Sequence, residues 1–291
     1  MIYKELSKTG EKLSSIGIGT WQLGKNPPEE IRAIKVAIEN GVNFVDTAEI
    51  YGSEPIVNKA IKGAKNIFIA TKVWPAHFHY DDVIRACDKS LKNLGVKQID
   101  LYQLHWPNKF IPIEETMRAM ESLVKSGKIR YVGVSNFDKT QLIAAQNAMK
   151  KEEIVSDQVE YSLMVRGPEE ELLPYCKKQK ISVIAYSPLG HGKLFMGRYK
   201  KLFDLLSKVG KDYRKTAAQI ALNWLISKKE VFAIPKASSV KHAMENAGAT
   251  SFKLKLKDSI AIDIASRKHK KKSLKDTVNL PLYFLLFLKR F

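Results

Sequence analysis

Eight apolar runs, each followed by a stretch of helical periodicity, constrain this 291-residue chain more than any other feature it has. The strand-like runs fall at 15–19, 42–46, 67–72, 100–104, 131–134, 154–155 (continuing to Gln158), 181–186 and 231–235. Apolar residues recur at helical spacing over 28–40, 54–61, 80–94, 112–126, 139–149, 168–179, 201–208, 216–227 and 239–247, with Gly41, Gly95 and Gly127 as stops. No linker interrupts the alternation. A repeating strand–helix order predicts parallel strands, and eight of them predict a (β/α)8 (TIM) barrel in one domain spanning 1–291, with about 250–291 as a divergent tail. A hairpin, Tyr3 to Leu6 and Lys12-Leu13 around Thr9-Gly10, precedes it. A doubly wound sheet would call for a glycine-rich phosphate loop after the first strand. Gly17-Ile-Gly19 is only a fragment of that fingerprint, and no helix follows it at once.

Composition limits the partners. Hydrophobic residues make up 45% of the chain, enough for a sizeable core. Cys87 and Cys176 fall in amphipathic helical stretches rather than at metal-ligand spacing, which predicts buried free thiols in a reducing compartment and no metal site. The first eight residues lack an apolar signal core, so the expected location is the cytoplasm. The net charge of +19 is concentrated toward the end, where residues 253–291 carry eleven Lys/Arg against three Asp/Glu, including the run Arg267-Lys-His-Lys-Lys-Lys272. No aromatics interleave that run, so a solvated basic tail is expected rather than a nucleic-acid surface. The apolar stretch 280–288 falls short of the ~20 residues that cross a bilayer. It is expected to pack on the body of the protein, with a membrane-surface or subunit contact as the alternative, in a monomer or small homo-oligomer.

The chemistry gathers at strand ends. Asp46 closes an apolar run and is followed by Tyr51 and by a helix start at Ser53-Glu54-Pro55. A buried Asp needs a cation, and Lys72 ends the next strand. His105 follows the third. In a barrel, the C-terminal ends of successive strands share one mouth, so these four side chains are expected to converge. A phenol of ordinary pKa ~10 is a weak acid at neutral pH. An ammonium beside it is expected to lower that value, with Asp46 holding Lys72 charged. Tyr51 would then give a proton to a carbonyl oxygen that a neutral His105 orients, while a nicotinamide supplies hydride.

These motifs resemble the aldo-keto reductases. Asp46-Thr-Ala-Glu-Ile-Tyr51-Gly matches the family signature, Ala70-Thr-Lys72 the segment with its lysine, and Leu104-His-Trp-Pro107 the segment with its histidine; the resemblance runs from about Tyr3 to Asn246. It implies that Asp46, Tyr51, Lys72 and His105 are the catalytic residues. It also implies an extended NADPH, with room for NADH. Gly19, Thr20, Trp21 and Asp46 would lie at the first loops, Ser135, Asn136 and Gln158 around the carboxamide, and Tyr186 against the nicotinamide face. Ser187, Pro188, Leu189 and Gly190 would follow the pyrophosphate. Lys236, Ala237, Ser238 and His242 would surround the 2′-phosphate, with Glu245 and Asn246 at the adenine. Ala237 stands where the family has a hydroxyl and His242 where it has an arginine, which weakens phosphate recognition. Trp21, Trp74 and Trp106, with Tyr51 and His105, would line a pocket for aromatic or medium aliphatic carbonyls. The expected activity is reversible NAD(P)H-dependent reduction of aldehydes and ketones. The alternative is a nicotinamide-binding regulatory subunit with little turnover.

Overall fold

The computed structural model describes residues 1–267. Its central sheet holds eight parallel strands, β3 (Ile18–Gly19), β4 (Phe44–Asp46), β5 (Phe68–Val73), β6 (Ile99–Leu104), β7 (Ile129–Ser135), β8 (Ile154–Glu160), β9 (Ser182–Tyr186) and β10 (Val231–Ala233). Each lies beside its sequence neighbour, as consecutive strand–helix units require. Between β10 and β3 the barrel closes through parallel bridges Ile16–Ala233 and Gly19–Lys236. The N–H of Gly17 donates to Ala233 O at 2.8 Å and that of Ala233 to Ser15 O at 2.9 Å. The first strand is therefore shorter than expected: Ile18–Gly19 pairs with β4, while Ile16 and Gly19 only bridge across the seam to Ala233 and Lys236.

The helices are α1 (Pro27–Glu39), α2 (Glu54–Ile61), α3 (Tyr80–Leu94), α4 (Ile113–Lys125), α5 (Lys139–Ala148), α6 (Leu172–Gln179), α7 (Lys200–Tyr213), α8 (Ala217–Ile226), α9 (Val240–Gly248) and α10 (Leu256–Arg267). Helix α7 runs past the expected stop at 208 with Gly210 inside it, where a side chain would meet Lys215 O at 2.3 Å. Helix α10 was not expected at all. Its anchor lies far away in sequence, in the segment after β8, where the buried Arg166 guanidinium donates to Glu169 Oε2, Asp263 Oδ1 and Ser266 Oγ, each at 2.6 Å. Cys87 and Cys176 are buried free thiols on α3 and α6, and burial pushes Cys87 up to about 12. The apolar stretch 280–288 and the basic run beyond Arg267 lie outside the described residues. No helix among the described residues is long and apolar enough to cross a membrane.

Two layers of core follow from strand alternation. Outward residues pack against the helices in one large cluster. Inward ones fill the barrel floor, where Phe44, Phe68, Leu101, Ile184 and Phe232 meet Leu6 and Leu13. The latter two come from the hairpin of β1 (Tyr3–Glu5) and β2 (Lys12–Ser14), which plugs the N-terminal end. Lys4 fixes the plug by donating to Ile226 O at 2.5 Å and to Lys228 O and Val231 O at 2.7 Å. Midway up, Gly133 leaves room for its neighbours, since a side chain there would lie 2.7 Å from Ser156 Oγ and 2.9 Å from Gln103 Cγ.

Asp157 on β8 carries a cost within this core. It is fully buried, and burial pushes its carboxyl far above the usual range, offset only in part by the Phe137 N–H. Folding therefore takes up a proton that the unfolded chain has released, so this group lowers stability as pH rises from about 4 toward the raised value. Asp157→Asn removes the titration and keeps the shape. Its melting temperature relative to wild type should climb by several degrees between about pH 4 and pH 8; a difference independent of pH would contradict the assignment.

Candidate active site

The same alternation that fills the floor with apolar side chains turns polar at the C-terminal ends. Phe44 on β4 is followed two residues on by Asp46, Leu101 on β6 by Gln103 and then His105, and Ile184 on β9 by Tyr186. Lys72 lies four residues beyond Phe68 on β5. Its ammonium has no exposed surface; it donates to Asp46 Oδ1 at 2.5 Å and to Thr47 O at 2.7 Å. The other carboxylate oxygen, Asp46 Oδ2, accepts from Gln158 Nε2 at 2.8 Å and from Gln103 Nε2 at 3.3 Å. Burial draws Lys72 below its ordinary value, opposed by the charge and hydrogen bond of Asp46. A carboxylate at this distance favours the ammonium form of Lys72.

Tyr51 ends a single 3₁₀ turn, Glu49–Tyr51, which closes on Gly52 in the left-handed region (φ 68°) before α2 begins. Buried hydroxyls hold the turn: Ser53 Oγ lies 2.9 Å from Thr20 Oγ1 and 3.0 Å from Thr47 Oγ1. Glu54, also buried, accepts from Thr71 Oγ1 at 2.8 Å and from Asn93 Nδ2 at 3.0 Å. The phenol thereby reaches His105, with Oη 3.2 Å from Nε2, and its ring stands 5.1 Å from the Lys72 ammonium. The four predicted catalytic residues do converge.

Their electrostatics differ from the expectation in one respect. The Tyr51 phenol is pushed well above its ordinary value, not below it, by burial first and then by the charge of Asp46 and by Tyr186. The ammonium gives its hydrogen bonds to Asp46 and Thr47, and burial together with the Asp46 charge outweighs its pull on the phenol. His105 behaves as expected, held well below its usual value by burial and by Lys72, and is neutral. Its Nδ1 is buried without a partner among the described residues. A bare lone pair there costs less than an orphaned N–H, which assigns the proton to Nε2, the nitrogen facing the mouth.

The residues expected around a carboxamide also meet. Ser135 Oγ donates to Gln158 O at 2.9 Å, Asn136 Nδ2 to His105 O at 3.0 Å, and Tyr186 Oη to Asn136 Oδ1 at 2.9 Å. Asn136 itself is left-handed (φ 64°). Ser187 to Gly190 form a tight turn, with Gly190 N–H donating to Ser187 O at 2.8 Å. Thr20 hydrogen-bonds Asp46 O at 3.0 Å, and Trp21 meets His191 edge-on at 5.3 Å. Trp74 meets the His105 ring edge-on at 5.4 Å, and Trp106 is half-buried beside it in sequence. Lys236 bridges Gly19 at the barrel seam. Ala237 is buried, Ser238 half-buried and His242 exposed on the first turn of α9, while Glu245 is half-buried and Asn246 buried.

Three contributors were missed. Gln103 was legible, since it stands two residues before His105 on an inward-facing strand. Glu49, which accepts the Trp74 N–H at 2.5 Å, and His191, 2.9 Å from Ser187 Oγ, depend on loop paths that periodicity does not encode.

Comparison with known proteins agrees with this geometry. The model of the Aldo/keto reductase family matches residues 15–267. Methylglyoxal reductase YeaE of Escherichia coli is 36% identical over 274 residues, covering 91% of this chain and 95% of the relative. Glyoxal reductase of Bacillus subtilis is 34% identical, with 89% and 91% covered. Among solved structures, an aldo-keto reductase of Klebsiella pneumoniae in complex with NADPH superposes with a TM-score of 0.83 at 36% identity, covering 91% of this chain and 95% of that one. Another from the same organism, with NADP and acetate, gives 0.84 at 34%, covering 90% and 94%. A carbonyl-handling barrel is thus the class that fold and site define. The chain belongs to the aldo-keto reductase family.

A neutral His105 is directly measurable. Histidine-selective NMR should find one imidazole, assigned by its loss in His105→Gln, that carries its proton on Nε2 and does not titrate between about pH 5 and pH 8; a titration centred near the ordinary value would refute the electrostatic picture.

Proposed function

We propose that this chain reduces the carbonyl of small aldehydes and ketones to the alcohol, with Tyr51 as proton donor and NADPH, or less readily NADH, as coenzyme. As a member of its family it is an oxidoreductase acting on carbonyl groups; the residue roles are our reading. The observation that carries it is the 3.2 Å approach of the Tyr51 phenol to a neutral His105 beside the buried Lys72–Asp46 pair. The donor set at the mouth fits a nicotinamide. Ser135, Asn136 and Gln158 offer a hydroxyl and two amides of the kind that match a carboxamide, and Tyr186 offers a half-buried ring.

A bound reduced nicotinamide supplies hydride. Everything else falls to the chain. His105 donates through Nε2 to the carbonyl oxygen and orients it; Tyr51 gives that oxygen a proton as the carbon gains hydride, leaving a phenolate that solvent reprotonates. Lys72 steadies the transient phenolate once Tyr51 becomes negative, and Asp46 keeps Lys72 charged and in place. Large aromatic rings stand at this end, Trp74 against His105 and Trp21 against His191, which suits aromatic and medium aliphatic carbonyls. The names of the two relatives above add small dicarbonyls of the glyoxal type. Tyr51, Trp21, Trp74, His105 and Trp106 would contact such substrates. We take the whole chain as one functional domain, a monomer or small homo-oligomer, and its two buried free thiols fit a reducing cytoplasm.

The test follows the near-ultraviolet absorbance of NADPH with methylglyoxal and an aromatic aldehyde as parallel substrates. Tyr51→Phe should lower kcat by at least about a hundredfold while leaving NADPH affinity within about twofold. Turnover in the variant close to wild type would overturn the role of Tyr51. Tight coenzyme binding without turnover in the wild type would favour a regulatory subunit instead.

A further inference from the structure

We propose that Glu29 is a coenzyme-selecting residue: its carboxylate, held against the first turn of α9, weakens the grip on a 2′-phosphate and opens the site to NADH. The inference rests on the dinucleotide reading above.

Helix register brings Glu29 there. Along α1, Glu29, Ala33 and Ala37 recur every four residues and share one face. Ala33 and Ala37 line one narrow cleft with Ala243, Asn246 and Ala247 of α9, and all four alanines are buried. Small side chains on both helices let the backbones approach closely. One turn earlier on the same face, Glu29 reaches the start of α9, where its Oε1 accepts the Val240 N–H at 3.1 Å. The adjacent acid, Glu30, is engaged elsewhere, accepting the Gly24 N–H at 2.7 Å and the Asn26 N–H at 3.4 Å.

That turn of α9 belongs to the segment the family resemblance assigns to the 2′-phosphate. Around it stand Lys236, Lys241 and His242, all exposed. Ala237 contributes no hydroxyl, and the Ser239 hydroxyl caps the helix by accepting the His242 N–H at 3.4 Å. Glu29 sets a negative charge at the start of the helix that carries Lys241 and His242, and it engages a backbone donor there. A carboxylate repels a phosphate ester but accepts a hydrogen bond from a ribose hydroxyl. The residues at this end therefore hold NADPH less selectively than Lys236 alone would imply.

The test measures dissociation constants of NADPH and NADH by quenching of tryptophan fluorescence, in wild type, Glu29→Gln and His242→Arg. Glutamine keeps an oxygen for the Val240 N–H and removes only the charge. Glu29→Gln should tighten NADPH by about fivefold or more at low salt, with the gain shrinking as salt rises, and change NADH by less than about twofold. His242→Arg should also tighten NADPH and serves to locate the phosphate. An unchanged NADPH-to-NADH ratio in Glu29→Gln overturns the proposal, most plainly where His242→Arg does act. A wild type that binds neither coenzyme brings down the dinucleotide reading itself, a different result from an unaltered ratio.

Discussion

The ammonium of Lys72, bonded to Asp46 at 2.5 Å and to the Thr47 carbonyl at 2.7 Å with no surface open to solvent, is the charge around which the barrel mouth is arranged. A buried ion pair is weak evidence for stability, because desolvation consumes most of the attraction. Its worth here lies in what it does to its neighbours. The positive charge helps hold His105 neutral, and the negative one helps keep Tyr51 protonated. Two neutral groups, a phenol and an imidazole, thus meet at the barrel mouth.

The pair is affordable only because the barrel satisfies it on all sides. Gln103 and Gln158 donate to Asp46, and the backbone turn after β4 supplies the Thr47 carbonyl. The two glutamines come from different strands, β6 and β8, and alternation points both inward above an apolar floor. Breaking one partner alone would strand a bare charge, at a cost of about 3–5 kcal/mol. The plugged N-terminal end and the polar C-terminal end are consequences of one pattern: apolar inward residues first, hydrogen-bonding ones two to four positions later.

Much of this was legible in the sequence. Eight alternations named the barrel, and Asp46, Lys72 and His105 at the ends of successive strands named the mouth. What escaped depended on contacts distant in the chain. Helix α10 owes its place to Arg166, and its own pattern gave no warning of it. The glycine inside α7 answers to the approach of Lys215, which its sequence position does not show. The direction of the Tyr51 shift escaped for a different reason: it depends on whether Lys72 points at the phenol or at Asp46, and spacing along strands does not carry that information. The face of α1 that carries Glu29 was readable from helical periodicity, but its partner on α9 was not.

The most direct test of the account is the pH dependence of turnover in the two directions. A phenol held protonated beside a fixed ion pair should make carbonyl reduction flat from about pH 6 to pH 9, while alcohol oxidation, which needs the phenolate, rises steadily across the same range. A reduction rate that falls with a midpoint near neutrality would mean that Lys72 does lower the phenol, and would contradict the arrangement of charge described for this site.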